Sequence, residues 1–294
     1  MTIIKKCPAC YRDNAKTSYQ NRQMIYKLCQ YCGLEWKRRI PSQHQLNRIY
    51  NDEYFFQETD CGLEKGYADY EMFSDMYIRY FTNMIKKISR FKSENEILID
   101  IGCGPGIFLD IAKKCGYQVI GVDVSTEVVN MVKKKYNVRV IKGEFPQVKI
   151  NNDNVGVITA FQTIEHVRNP LILLQSIYRT IKPGGLVVMT TLNLDSVWRK
   201  IMGRKWFSYL HDEHLHYWNP KSLKTIFKRA GFSKIQIFSD VFRTYTLDQI
   251  IINMRVYGKW PIPKLNNLTI KQITKLIKIP FPVGSIGIMA RKPK

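Results

Sequence analysis

The sequence predicts an α/β fold in which strands alternate with helices around a mostly parallel sheet, with a small cysteine-bearing module in front. Three observations carry this. The apolar run Ile97-Leu98-Ile99-Asp100-Ile101 ends in the turn Gly102-Cys103-Gly104-Pro105-Gly106, and a helical pattern (Phe108, Leu109, Ile111, Ala112) starts at once. A second run, Gln118 to Val122, also ends in an acid, Asp123, 23 positions after Asp100. Strand and helix patterns then keep alternating, which in a compact domain means right-handed crossovers between parallel strands.

Taken in order, residues 1–40 hold two cysteine pairs, Cys7-Pro8-Ala9-Cys10 and Cys29-Gln30-Tyr31-Cys32, with 18 residues between them. Each pair predicts a tight knuckle presenting two thiolates, and a hairpin between them brings the knuckles together. Four thiolates suit tetrahedral zinc and leave no open position, so the expected role is structural. So short a segment builds little core, and the metal would supply folding energy. Two disulfides are the alternative. They belong to an oxidising compartment, and Met1–Lys6 carries no apolar leader.

Residues 41–95 are expected to connect the module to the sheet and to cover its ligand end. Helical spacing (Phe73, Met76, Tyr77, Tyr80, Phe81, Met84, Ile85, Ile88) predicts a helix from Tyr70 to Phe91. Residues 96–294 hold the sheet, with strands expected at 97–101, 118–122, 138–142, 155–161, 186–191, 233–239 and 286–290. Helices are expected at 107–115, 126–135, 170–181 and 222–232. Ligands of such sheets sit at the carboxyl ends of the strands, at the switch point beside the first one. Residues 192–220 form a long insertion, and insertions of that length are usually functional or flexible.

A glycine turn is weak evidence alone, and a dinucleotide-binding unit is the obvious alternative. Here, however, the acid Asp100 precedes the first glycine, in a D-x-G-x-G-x-G pattern. An acid at that point suits a cation and repels a diphosphate. Four later segments fall in matching order: Gly121-Val122-Asp123-Val124-Ser125, Gly143-Glu144-Phe145, Gln162-Thr163-Ile164-Glu165-His166-Val167 and Ile181-Lys182-Pro183-Gly184-Gly185. Together they resemble the class I S-adenosylmethionine (SAM) dependent methyltransferases, over roughly residues 66–294. The resemblance implies a Rossmann-like, seven-stranded, mostly parallel sheet with helices on both faces and an antiparallel last strand.

It also implies roles. Gly102, Cys103, Gly104 and Gly106 would line the methionine and ribose of SAM. Asp100 would bind the amino group and Asp123, followed by Val124, the ribose hydroxyls. Glu144 and Phe145 would flank the adenine, Gln162 and Thr163 would face the donor methyl, and Tyr67 or Tyr70 would close over the cofactor. The sequence departs from the family where the strand at 155–161 opens with Val155-Gly156 instead of an apolar-acidic pair.

Methyl transfer is an in-line displacement that needs donor and acceptor held collinear and, for some acceptors, a base. Glu165 and His166, just past the fourth strand, are the acid/base candidates, and His titrates near neutral pH. A structural histidine is the competing reading. His211, Glu213, His214, His216 and Tyr217 make a second polar-aromatic set, expected to line an acceptor pocket, with His214 a catalytic candidate. A metal held by the three histidines is the minor alternative. Arg199, Arg204 and Lys205 are expected to hold a phosphate or carboxylate of the acceptor. The segment Asp212-Glu213-His214-Leu215-His216-Tyr217-Trp218-Asn219-Pro220 resembles methyltransferases acting on quinone precursors or on sugars.

The net charge of +22 is uneven. Residues 1–48 carry 10 Lys/Arg against 2 Asp/Glu, residues 49–198 carry 17 against 18, and residues 199–294 carry 19 against 4. Basic flanks favour an anionic partner, either a small-molecule or glycan acceptor or, alternatively, RNA; a Lys-biased proteome explains the same excess. Lys264, Lys271, Lys275 and Lys278 oppose Leu265, Leu268, Ile273, Leu276 and Ile277 in a basic amphipathic pattern over 264–278 that suits an ordinary solvated face over a core stripe or, alternatively, an acidic membrane surface. No apolar run is long enough to span a membrane. The expectation is a cytoplasmic protein, with peripheral contact at the inner membrane face as a variant.

Overall fold

The computed structural model describes residues 1–20, 24–42, 45–46, 74–91, 96–145, 147–148, 150, 154–206, 209, 213–240, 243–247, 251, 273–274, 276–281 and 284–294. In chain order the elements are β1 (Thr2–Ile3), β2 (Ala15–Gln20), β3 (Ile25–Cys29), β4 (Glu35–Lys37), β5 (Arg39–Ile40), α1 (Ser74–Ser89), β6 (Ile97–Ile101), α2 (Ile107–Lys114), β7 (Gln118–Asp123), α3 (Thr126–Tyr136) and β8 (Arg139–Lys142). There follow β9 (Val155–Phe161), α4 (Pro170–Thr180), β10 (Leu186–Leu192), α5 (Val197–Met202), β11 (His216–Tyr217), α6 (Pro220–Arg229), β12 (Ser233–Asp240), β13 (Arg243–Thr246), β14 (Lys278–Phe281) and β15 (Ser285–Arg291).

The main sheet has seven strands in the order β12-β15-β10-β9-β6-β7-β8. Strands β10, β9, β6, β7 and β8 run parallel, and β15 lies antiparallel to both β10 and β12. The chain winds outward from β6 to β8 and then returns to β9 on the other side of β6. The strand order thus reverses between β6 and β9, and their carboxyl ends open the crevice where ligands of such sheets bind.

Alternation of side chains puts helices on both faces. Leu98, Val157, Leu186 and Val188 pack with Tyr77, Phe81, Met84, Ile85 and Ile88 of α1 and Phe108 and Ala112 of α2. Ile97, Ile99, Ile158, Val187 and Met189 point the other way, onto Leu173, Leu174 and Ile177 of α4 and Leu223, Ile226 and Phe227 of α6. Local chemistry sets the helix starts. Ser125 Oγ accepts from Val128 N at 3.2 Å and Asn169 Oδ1 from Ile172 N at 3.2 Å. Asn219 forms a reciprocal capping box with Ser222, with Pro220 in the first turn, so α6 starts two residues before the position expected from hydrophobic spacing.

The unusual opening of β9 is a β-bulge. Ile97 pairs with Val155 but Leu98 pairs with Val157, leaving Gly156 as the extra residue. A Cβ on Gly156 would lie 2.0 Å from Glu96 Cδ. The bulge therefore makes room for the buried Glu96 side chain, whose carboxylate meets Lys182 Nζ at 2.8 Å.

The largest departure from expectation concerns 192–220. Residues 216–217 form β11, which pairs antiparallel with β4 and completes a four-stranded sheet β11-β4-β3-β2. The N-terminal residues are thereby packed into the same core as the main sheet: Cys7, Ala9, Cys29, Cys32, Leu34 and Trp36 share one cluster with β6, β9, α4 and α6. Further ties are Asn219 Nδ2 to Gly33 O at 3.2 Å, Arg229 Nη1 to Ala9 O at 2.6 Å and Arg168 Nη2 to Thr2 Oγ1 at 2.9 Å. Near the C-terminus, the helical run ends before Lys278, which begins β14, so the amphipathic pattern expected over 264–278 does not reach its last residue as helix. Ile273, Leu276 and Ile277 are exposed, while Lys264, Leu265, Leu268, Lys271 and Lys275 lie outside the described residues. Among the described residues no helix is long and apolar enough to cross a membrane.

Candidate active site

The glycine turn leaves β6 with Gly102, Gly104 and Gly106 all at positive φ (69°, 47° and 75°). The three serve different ends. A Cβ on Gly102 would lie 2.7 Å from Thr163 Oγ1, and one on Gly106 2.6 Å from Val132 Cγ1, so these two permit close packing. A Cβ on Gly104 would meet nothing within 4 Å. Gly104 therefore faces open space at the strand ends, as a backbone that must admit a ligand should. The Cys103 side chain turns inward with Leu109, Val128 and Val140, leaving only its backbone toward the turn.

The two acids flank this turn. Asp123 Oδ2 accepts from Gly104 N at 3.0 Å and Oδ1 from Ser125 N at 3.0 Å, which locks the end of β7 to the turn. Asp100 is buried beneath it and accepts from Thr159 Oγ1 at 2.6 Å. Burial, and secondarily the Asp123 charge, pushes the Asp100 carboxyl up to about 7. Burial also raises Asp123, against three backbone N–H groups that lower it. Two buried carboxyls beside an open glycine turn form a cradle for a cation, not for a diphosphate. Val124 is exposed next to Asp123, Glu144 is half-buried and Phe145 is buried in the core. Burial raises the Glu144 carboxyl, and Arg168 opposes this.

Past β9 the chain makes a tight turn. Gln162 sits at φ 50°, a conformation rare for a side-chain-bearing residue and often found at functional sites. Its N–H reaches Thr190 O at 2.9 Å and its Nε2 reaches Thr190 Oγ1 at 3.3 Å. Thr163 Oγ1 lies 3.2 Å from Ile101 O, fastening the turn to the end of β6. Glu165 is fully buried. Its Oε2 accepts from Thr191 Oγ1 at 2.8 Å, its Oε1 has no partner among the described residues, and burial pushes its carboxyl up to about 7.

His214 arrives from the insertion. Leu215 N and His216 N donate to Glu165 O at 2.8 and 3.2 Å, and Lys37 N donates to Leu215 O at 3.0 Å. The His166 and His214 rings come to 4.9 Å between centroids, tilted by 59°. Ligand atoms of Glu165, His166 and His214 all lie within 4.8 Å of one another. Two candidate sets that are 48 positions apart in sequence (His166 and His214) thus converge.

Several expectations for the insertion are corrected. His216 is not part of an acceptor pocket: it is fully buried opposite Trp36, and desolvation lowers its pKa to about 3, so it stays neutral. Tyr217 packs with Trp206, Tyr209 and Tyr26 of the N-terminal sheet instead of lining an acceptor pocket. Arg204 is committed to that sheet, with Nη1 3.4 Å from Glu35 Oε1 and Nη2 bonded to Ser18 O. Tyr209 OH donates to Glu35 Oε2. The reason is shared: β4 presents a buried row, Glu35-Trp36-Lys37, that the insertion must cover. Tyr67, Tyr70, His211 and Asp212 lie outside the described residues.

The four cysteine sulfurs also converge, all within 4.8 Å of one another, with Cys7 and Cys32 at 3.5 Å and Cys10 and Cys29 at 3.5 Å. A tetrahedral ion with metal–sulfur bonds of about 2.3 Å separates its ligands by about 3.8 Å. The cluster matches that spacing and is too open for disulfides, whose sulfurs are about 2.05 Å apart.

What sequence reading missed are the threonines beneath the acids. Thr159 holds Asp100 and Thr191 holds Glu165. A signal existed: Thr159, Thr190 and Thr191 interrupt otherwise apolar strands near their carboxyl ends.

The fold and this site define a class I methyltransferase of the SAM-dependent type. The methyltransferase-domain family matches at residues 75–237, and the chain belongs to it. A ubiquinone biosynthesis O-methyltransferase of Hydrogenovibrio crunogenus is 30% identical over 117 residues, 37% of this chain and 48% of that protein. The chain spans about half the length of the curated relatives it matches. Among solved structures, a complex of the Haloferax volcanii Trm112 methyltransferase activator with a methyltransferase aligns at a TM-score of 0.55, with 16% identity, over 78% of this chain and 96% of that one. A SAM-dependent methyltransferase of Thermotoga maritima aligns at 0.52 and 16% identity, over 85% and 100%. These two likenesses concern the fold.

Proposed function

We propose that the chain transfers the methyl group of SAM to a small-molecule or glycan acceptor of the sugar, nucleotide-sugar or quinone-precursor kind. The observation that carries this is the convergence of Glu165, His166 and His214 beside Gln162 and Thr163, at the carboxyl end of β9. The similarity to ubiquinone O-methyltransferases supports the same acceptor class.

SAM supplies a methyl group activated by its sulfonium charge. On this reading Gly102, Cys103, Gly104 and Gly106 give backbone room for the methionine and ribose. Asp123 takes the ribose hydroxyls, Asp100 faces the amino group, and Val124, Glu144 and Phe145 border the adenine. Gln162 and Thr163, fixed to Thr190 and Ile101, set the position of the acceptor against the donor methyl. His166 takes the acceptor's proton, and buried Glu165 and His214 hold it in place. The Cys7, Cys10, Cys29 and Cys32 thiolates hold a structural zinc ion. Residues 1–40 form the zinc module, 41–95 a connecting and cofactor-covering segment, and 96–294 the methyltransferase domain. An anionic acceptor and a cytoplasmic location, with peripheral membrane contact through 264–278, complete the reading.

The test is methyl transfer from radiolabelled SAM into a cell extract split into RNA, lipid-glycan, small-molecule and protein fractions. Label in the small-molecule or lipid-glycan fraction is expected. Label confined to RNA overturns the acceptor class and gives the basic flanks a role in gripping a phosphate backbone.

A further inference from the structure

The sequence offers His211, His214 and His216 as a histidine cluster, but the fold breaks that grouping. His216 faces Trp36 in the buried sheet. The side chains that do converge come from two segments: Glu165 and His166 after β9, and His214 from the insertion, with one ligand atom of each within 4.8 Å of the others. Four features give this set the chemistry of a metal site. Its donors are two imidazole nitrogens and one carboxylate oxygen, a set that suits borderline divalent transition metals. Among the described residues, the buried Glu165 Oε1 has no hydrogen-bond partner, and a buried polar atom left in that state is costly unless something answers it. Glu165 Oε2 is held by Thr191 Oγ1 at 2.8 Å, the outer-shell bond that commonly orients a ligating carboxylate. The imidazole planes are tilted by 59°, so the rings are not stacked on each other.

We propose that Glu165, His166 and His214 form a second metal site, taking a divalent cation of the zinc type. This inference deepens the acceptor-site reading above and rests on it for the identity of the fourth ligand. Unlike the four-cysteine cluster, three protein ligands leave a coordination position open, the arrangement of a catalytic site. The open position takes the acceptor's oxygen, and the cation lowers the pKa of a hydroxyl bound there, as it does for bound water. A nitrogen given to the cation no longer accepts a proton. The loaded site therefore acts by polarising the acceptor, and the metal-free site by proton transfer to His166.

The experiment is the zinc content of the full chain after saturation with zinc and dialysis against metal-free buffer, for the wild type, His214→Ala and Glu165→Gln. The expected result is two ions per chain in the wild type and one in each variant. Cobalt(II) replacement adds a spectroscopic check: the thiolate charge-transfer band of the cysteine site should persist in both variants, which also shows that they are folded. One ion per chain in wild type and variants alike overturns the proposal. Methyl transfer on the same preparations separates the two readings. A one-ion chain that still needs His166 for turnover refutes the cation and keeps the base. A two-ion chain that methylates no acceptor supports the metal site and refutes the activity.

Discussion

At the residue scale, single acids carry the argument because each is placed by identified partners. Asp123 bonds both Gly104 N and Ser125 N, so an amide in its place presents an N–H to an N–H. Asp123→Asn should weaken SAM binding by about 10- to 100-fold, the equivalent of one or two charge-assisted hydrogen bonds, measurable by calorimetric titration. Asp240 gives a prediction about pH. It is buried and accepts from Tyr80 OH at 2.8 Å, and burial pushes it up from 3.8 to about 6 against Tyr80 and Lys87. The unfolded chain therefore releases this proton first as pH rises. The folded state loses up to about 3 kcal/mol between pH 4 and 6 and does not regain it above. Asp240→Asn keeps the acceptor for Tyr80 and should remove that loss, so its thermal stability should exceed the wild type's above pH 6 and approach it at pH 4.

At the element scale, two strands depend on single side chains. The bulge in β9 exists because Gly156 leaves space for Glu96. Gly156→Ala should cost about 1–3 kcal/mol by overpacking, and adding Glu96→Ala should recover part of it in denaturant titration. Strand β4 is buried along its whole length, and Trp36 in its middle is fully buried where the N-terminal sheet meets α6 and the main sheet. Trp36→Ala should destabilise by about 3–5 kcal/mol. The bulge was visible in the sequence only as an oddity, Val155-Gly156, since its cause lies in a side chain from outside the strand. The period-3.6 patterns of α1 to α4 and the short apolar runs of β6, β9 and β10 were legible because each helix buries one face on the sheet and each of these strands lies between two helix layers.

At the scale of the whole molecule, the four-cysteine cluster and the candidate active site are mechanically joined. The knuckles fix β3 and β4, β4 pairs with β11, and the residues at the start of β11 bond Glu165 O. The glycine turn and Asp123 lie on the main sheet and do not depend on that path. Cys32→Ala should therefore lower thermal stability and abolish methyl transfer while SAM affinity changes less than about threefold. Equal loss of both functions would show that the module supports the whole sheet and not one pole of the site.

The sequence by itself determined the parallel sheet, the glycine turn with its two acids, and the metal-binding spacing of the four cysteines, because each is encoded within a few neighbouring residues by periodicity, backbone freedom or ligand chemistry. Only the tertiary structure decided what the insertion does. Its aromatics could be read equally as pocket or as core, and the answer rests on β4, nearly two hundred residues earlier, which needs a partner strand and a cover for its buried Glu35, Trp36 and Lys37. The meeting of His214 with Glu165 and His166 follows from that pairing, and no local pattern carries it.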